Sequence, residues 1–181
     1  RTGDYDARER VLRALGNAAV DHDDAVQALI AFLQVPETRG GALRALGGAA
    51  ARHEHVRALL IEVAQNGVDI GLSRYAASLT HALGTAKDLL TFLPYRAPPD
   101  TGRGSEWAAI AALGRGAAVH SDARDFLVAQ ARSANADLRR FAISALMGTS
   151  SYADVEWPPE VLQVFKEALT DPDPHTRSNA E

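Results

Sequence analysis

The 181-residue chain is 46% hydrophobic and 23% charged, which is typical of a folded globular protein and not of a disordered one. Its formal net charge of −4 argues against a dedicated nucleic-acid-binding protein, and no apolar run approaches the ~18 residues that cross a bilayer. Because the chain has no cysteine, disulfides and thiolate chemistry are excluded, and we expect a cytoplasmic protein. Since arginine far outnumbers lysine and both alanine and glycine are abundant, we also expect a bacterial protein.

The apolar periodicity predicts helices along the whole chain, since apolar residues recur at steps of three and four. The predicted helices cover residues 4–18, 22–34, 37–50, 55–66, 70–84, 87–93, 104–118, 121–133, 135–148 and 158–170, with a partial helix at 173–181. A Pro- and Gly-rich stretch at 94–104 predicts an extended loop. Ser121 and Asp122 occupy expected N-cap positions, and Pro158-Pro159 suits a first helical turn. No segment alternates with the period of two that predicts a strand.

Every second helix carries a recurring phrase, usually Ala-Leu-Gly, and we number each repeat unit from its Leu as position 0. These leucines are Leu15, Leu46, Leu83, Leu113 and Leu146, separated by 31, 37, 30 and 33 residues. A period in this range indicates stacked helical units rather than one globular core. Positions 0, −3, −4 and −7 lie on one face of a helix, so this face is the predicted packing seam.

An arginine at position −7 is the second recurring feature. It is present in units one, two and five and in a partial sixth unit, as Arg8, Arg39, Arg139 and Arg177. The sixth unit opens with Asp-Pro-Asp-Pro-x-x-Arg-x-x-Ala, and complete units continue to Ala-Leu-Gly. This pattern resembles HEAT repeats, specifically the bilin-lyase-type HEAT-like repeats common in bacteria. The resemblance covers nearly the whole chain, although units three and four have Ala76 and Glu106 at position −7.

The resemblance implies an all-α fold of the armadillo type: an α-solenoid, or right-handed superhelix, of about five stacked antiparallel helix pairs. Residues 1–181 would form a single array, expected to be a fragment of a longer chain because the only methionine is Met147. Uncapped ends of such an array would favour self-association. HEAT arrays serve as scaffolds, adaptors and occasionally enzymes, so the resemblance leaves the function open.

We interpret the four arginines at position −7 as a structural ladder and not as a ligand site. The stem of each arginine can cover the apolar seam while its guanidinium reaches backbone carbonyls or an acidic group in the next unit. The expected acidic partners are Asp21 and Asp171, which lie near predicted helix ends.

The sequence contains no convincing catalytic constellation. His53-Glu54-His55 lies in a predicted turn near Asp23, but two histidines without a matched third ligand do not make a zinc site. No phosphate-binding loop or nucleophile elbow occurs. We therefore predict a non-catalytic protein without metal or cofactor. A HEAT-like enzyme or accessory protein, either bilin-lyase-like or DNA-glycosylase-like, is the alternative.

Candidate binding residues lie on the helix face that points away from the packing seam. Positions −2 and −5 point away from the seam, and the second helix of each HEAT pair usually lines the concave side of the stack. The binding candidates on this expected concave face are Arg10, Arg13, Arg44, Arg74, His81 and Phe141. The face is basic in its first half, while its second half carries Ala108, Ala111 and an exposed Phe141.

Such a face suits an acidic partner segment that ends in an apolar anchor. We therefore predict a protein–protein interaction scaffold that binds a protein partner or a neighbouring domain of the parent chain. Nucleic-acid binding through the basic stripe is the further alternative, which the net charge disfavours.

Overall fold

The computed structural model describes residues 3–67, 103–148 and 156–180. All regular structure in these ranges is helical, which confirms the predicted all-α class. The helices are α1 (Gly3–Ala18), α2 (Asp23–Phe32), α3 (Arg39–Ala50), α4 (Glu54–Asn66), α5 (Arg103–Ala117), α6 (Ser121–Ala131), α7 (Ala136–Gly148), α8 (Pro159–Ala168) and α9 (Pro174–Ala180). Within the described ranges, no helix is long and apolar enough to cross a membrane.

The N-cap of one helix and the end of the predicted loop differ from the sequence prediction. The N-cap of α6 is His120, so Ser121 and Asp122 are already helical, and the Asp122 carboxylate complements the helix dipole. The loop predicted at 94–104 extends beyond the start of α5, which begins at Arg103. The rest of that loop lies outside the described residues. By contrast, Pro158 and Pro159 occupy the N-cap and first turn of α8.

The described helices pack in two rows. Row A consists of α1, α3, α5, α7 and α9, and each of these helices packs against the next. Row B consists of α2, α4, α6 and α8, each of which lies against the two row A helices next to it in this order. Apolar side chains fill the space between the rows. Leu43, Leu113 and Leu146 from row A and Leu60 and Leu127 from row B are fully buried there.

The glycine that follows the motif leucine in units one, two and four allows neighbouring row A helices to approach closely. A Cβ on Gly16 would lie 2.9 Å from the carbonyl oxygen of Ala45, and one on Gly47 would lie 3.1 Å from that of Ala112. Gly114 meets Ala145 in the same way. In all three cases the glycine of one unit contacts the alanine that precedes the motif leucine of another. The Ala-Leu-Gly phrase is therefore a packing device.

This contact also shows which units are neighbours. Gly47 belongs to unit two and Ala112 to unit four, so α3 packs directly against α5. The backbones of α3 and α5 are too close at this point to admit another helix between them. The helices predicted for unit three, at 70–84 and 87–93, lie outside the described residues.

Candidate functional site

Three of the arginines at position −7, Arg39, Arg139 and Arg177, hold the turn that precedes their own helix. Arg139 donates from Nη1 to the carbonyl oxygens of Ser133, at 3.0 Å, and Ala134, at 3.1 Å. Arg177 makes the equivalent pair of hydrogen bonds to the carbonyls six and five residues upstream. Arg39 donates from Nε to the carbonyl of Leu33 at 2.9 Å, again six residues upstream. Each contact satisfies a carbonyl where a row B helix has ended.

Arg139 also reaches the next unit. Its Nε and Nη2 donate to the two carboxylate oxygens of Asp171 at 2.7 and 2.9 Å, which is a bidentate pair. The hydrogen bond from Arg139 lowers the pKa of Asp171 against the opposing effect of burial, and the backbone N–H of Asp173 adds to it. The other expected partner behaves differently: Asp21 lies 3.3 Å from Arg52, with both side chains mostly exposed. That expectation is corrected because Arg52, at the end of α3, is the cation beside the turn that follows α1.

A second set of structural arginines lies in row B and was not predicted. Arg57 donates to the carbonyl of Ala50 at 3.1 Å, and Arg124 donates to the carbonyl of Ala117 at 3.3 Å, in both cases seven residues upstream. These carbonyls lie at the carboxyl ends of α3 and α5. The only sequence signal is an arginine three residues after each helix start, which is too common a feature to have been singled out.

Arg57 links unit two to unit four. It is buried, and its Nε donates to both carboxylate oxygens of Asp122 at 2.9 and 3.1 Å. Burial is the largest single influence on Asp122 and raises its pKa, but the hydrogen bonds from Arg57 and from the backbone N–H of Ala123, together with the charges of Arg57 and His120, lower the pKa overall. Nearby, Nε2 of His120 lies 2.8 Å from the carbonyl oxygen of Ala51. These polar contacts accompany the apolar packing of α3 and α4 on α5 and α6.

The paired histidines lie before and within the first turn of α4. Nδ1 of His53 is 3.3 Å from the Asp23 carboxylate, and its ring meets that of His55 edge-on with centroids 5.5 Å apart. Burial and then the neighbouring His53 lower the pKa of His55. No group of three or more potential metal ligands occurs in the described ranges. The two histidines are half-buried, and they pack against each other and beside Asp23 where α4 begins.

The structure separates the predicted binding residues into different settings. Arg10, Arg13 and Arg44 are exposed on row A, and Arg44 lies 3.3 Å from Glu9. Arg74 and His81 lie outside the described residues. Phe141, expected to be exposed, is half-buried because it stacks on Trp107 with ring centroids 4.8 Å apart.

Phe141 is less exposed than expected because of its place at position −5 of the repeat unit. Ala108 is buried, Gly41 is half-buried, and a Cβ on Gly41 would overlap the Leu12 side chain of α1. In units two, four and five, position −5 therefore faces the neighbouring row A helix, whereas Arg10, at this position in unit one, is exposed. Position −2 is exposed in every described unit, at Arg13, Arg44, Ala111 and Ser144.

We call the exposed side of row A the row A face and define it by Arg13, Arg44, Ala111, Arg115 and Ser144. Within the described ranges, the depressions along this face include three that differ in volume. One depression, between α1 and α3, has a volume of about 220 Å³ and includes Arg13 and Arg44 in its wall. Another, between α5 and α7, has a volume of about 180 Å³ and includes Ala111 and Ser144.

The largest depression, which we call the cleft, has a volume of about 440 Å³. Its lining residues are Val20, Gly48, Ala51, Arg52, Arg115, Ala118 and Val119. They come from the carboxyl-terminal ends of α3 and α5 and from the turns that follow α1, α3 and α5. Sequence reasoning missed the cleft because it considered only positions before the motif leucine, whereas these residues follow it. The cleft also depends on direct contact between units two and four.

Comparison with known proteins gave no match: no family model, no curated protein and no solved structure matches this chain.

Proposed function

We propose that this protein is a HEAT-like α-solenoid that binds a protein partner through the row A face and has no catalytic role of its own. The two-row packing and the repeated Gly–Ala contact support the solenoid, and its right-handed superhelix is part of the proposal. The partner is a separate protein or a neighbouring domain of the parent chain. A cytoplasmic location belongs to the same proposal.

The observation that carries the proposal is the contrast between the two sides of row A. The seam side is filled by leucine, isoleucine and alanine, whereas the row A face presents arginines beside unfilled depressions. Arg13 and Arg115 are exposed, and no acidic group among the described residues pairs with them. Exposed arginines next to apolar depressions are typical of protein-binding surfaces, where arginine is over-represented.

The test is a selection of 16-residue peptides from a random display library on the immobilised chain. Enriched peptides are measured against the wild-type protein and against the double variant Arg13→Ala/Arg44→Ala. The matched control is Arg132→Ala, which removes an exposed arginine from the end of the row B helix α6, where it pairs with Glu167 at 3.0 Å.

We expect the double variant to weaken binding about tenfold and the control to leave it unchanged, because only the double variant alters the row A face. Hydrogen exchange should then show protection on α1, α3, α5 and α7 rather than on row B. Peptides that protect row B, or that bind the double variant at full strength, contradict the proposal. Steep loss of binding to a labelled DNA duplex with rising salt would instead support the nucleic-acid alternative.

A further inference from the structure

The cleft forms where three structural segments converge on Gly48. A Cβ on this glycine would lie 3.3 Å from Cγ2 of Val20, 3.5 Å from the carbonyl oxygen of Gly16 and 3.6 Å from Nη1 of Arg115. The segment after α1, helix α3 and helix α5 thus meet at one residue without a side chain. The missing side chain leaves the floor of the cleft open.

The walls of the cleft are mostly apolar and partly exposed. Val119 is 65% exposed, which is the largest exposure among the large apolar side chains of the described residues. Val20, Ala51 and Ala118 are half-buried around it. An apolar side chain placed among these residues would remove their surface from water, which is the main source of binding free energy at such a site.

The two cations of the cleft differ in their pairing. Arg52 lies 3.3 Å from Asp21, so its charge is already opposed by a carboxylate. Arg115 has no acidic partner in the described ranges, and it lines both the cleft and the depression between α5 and α7. Its guanidinium therefore lies on the ridge between two depressions, where a carboxylate could accept hydrogen bonds from it.

We propose that the cleft binds a short peptide segment of a partner, with one apolar side chain in the cleft and an acidic side chain on Arg115. A second apolar side chain then enters the depression between α5 and α7, which Gly114, Ala145 and Gly148 keep shallow. This inference rests on the proposed function, since it names the chemistry of the partner that the row A face takes. A nucleic acid fits less well, because the walls are apolar and the chain carries a net charge of −4.

The experiment uses three labelled peptides that share the same flanks and differ at the centre: Leu-Glu-Glu-Leu, Leu-Lys-Lys-Leu and Ser-Glu-Glu-Ser. Each is titrated by fluorescence anisotropy against the wild-type chain and against Arg115→Glu, Val119→Ser and the control Arg132→Ala. Arg115 and Val119 are both exposed, so their substitution should leave the fold intact. Circular dichroism of each variant checks this.

We expect the wild type to prefer Leu-Glu-Glu-Leu over both other peptides by at least tenfold. Arg115→Glu should reverse the preference to Leu-Lys-Lys-Leu, because a carboxylate then replaces the guanidinium on the ridge. Val119→Ser should weaken Leu-Glu-Glu-Leu several-fold and leave Ser-Glu-Glu-Ser unchanged. Arg132→Ala should change none of the three affinities.

An unchanged preference in Arg115→Glu overturns the inference, as does equal binding of the leucine and serine peptides or no binding of any peptide. If library-selected peptides are lost in Arg13→Ala/Arg44→Ala but bind Arg115→Glu normally, the row A face binds proteins and only the cleft assignment fails. If the selected peptides protect row B, the proposed function itself fails.

Discussion

Substituting Gly114 by alanine probes the contact that sets the distance between α5 and α7. The new Cβ would lie 3.1 Å from the carbonyl carbon of Ala145 and 3.4 Å from its Cα, with the carbonyl oxygen closest of all. Carbon atoms in favourable contact are ~3.5–4.0 Å apart, so α7 must move away by several tenths of an ångström. Helix α5 cannot yield in the opposite direction, because α3 packs on it from the other side.

Two opposing effects determine how Gly114→Ala changes the free energy of unfolding. Overpacking between well-packed elements costs about 1–3 kcal/mol. Alanine in place of glycine within a helix stabilises the folded state by roughly 0.5–1 kcal/mol. We therefore expect Gly114→Ala to lower the free energy of unfolding by about 1–2 kcal/mol.

Gly148→Ala is the matched control, since the same substitution is made at the end of α7, where a Cβ would meet no atom within 4 Å. It should leave stability unchanged or raise it by up to about 1 kcal/mol, because only the helix propensity changes. Urea unfolding followed by circular dichroism measures both variants. If Gly114→Ala proves as stable as Gly148→Ala, the close-approach role of the Ala-Leu-Gly phrase is refuted.

Two further predictions address the arginine contacts and the order of the units. Arg139→Ala should lower the free energy of unfolding at neutral pH by about 2 kcal/mol, while Arg132→Ala, in an exposed ion pair, should change it by less than about 1 kcal/mol. Because the pKa of Asp171 is lowered in the folded state, the Arg139 contribution is present above the unfolded pKa and is lost as pH falls through the folded one. Urea titrations from neutral to acidic pH check this, and a pH-independent difference contradicts it. Replacing 68–102 with a four-residue linker should preserve cooperative unfolding, since α3 already contacts α5. Loss of cooperative unfolding in circular dichroism contradicts that interpretation.

The helices could be predicted from the sequence because their signal is local. A motif leucine such as Leu113 and its apolar neighbours at −3 and −4 define one face within a single helix, and tertiary packing did not override it. The role of Arg139 at its helix start could be anticipated for the same reason. Its partners are the carbonyls of the turn a few residues upstream and Asp171, at a helix end of the following unit.

The order of the units could not be predicted, because equal spacing in sequence does not show which units touch. Units two and four are joined by the pair Arg57–Asp122 and by His120 on the carbonyl of Ala51, over separations of 65 and 69 residues. Nothing local to Arg57 indicates Asp122 as its partner. The half-burial of Phe141 was also missed, because its stacking on Trp107 depends on the angle between neighbouring helices.

The cleft follows from this unexpected neighbour relation. Gly48 belongs to unit two and Arg115 to unit four, and the two come together only because α3 and α5 are in direct contact. A unit inserted between these helices would separate Gly48 from Arg115, and the cleft would not form. The contact of Gly47 with Ala112, a packing feature by itself, therefore creates the candidate site. Any change that loosens the α3–α5 contact should weaken peptide binding even when it leaves every cleft residue unchanged.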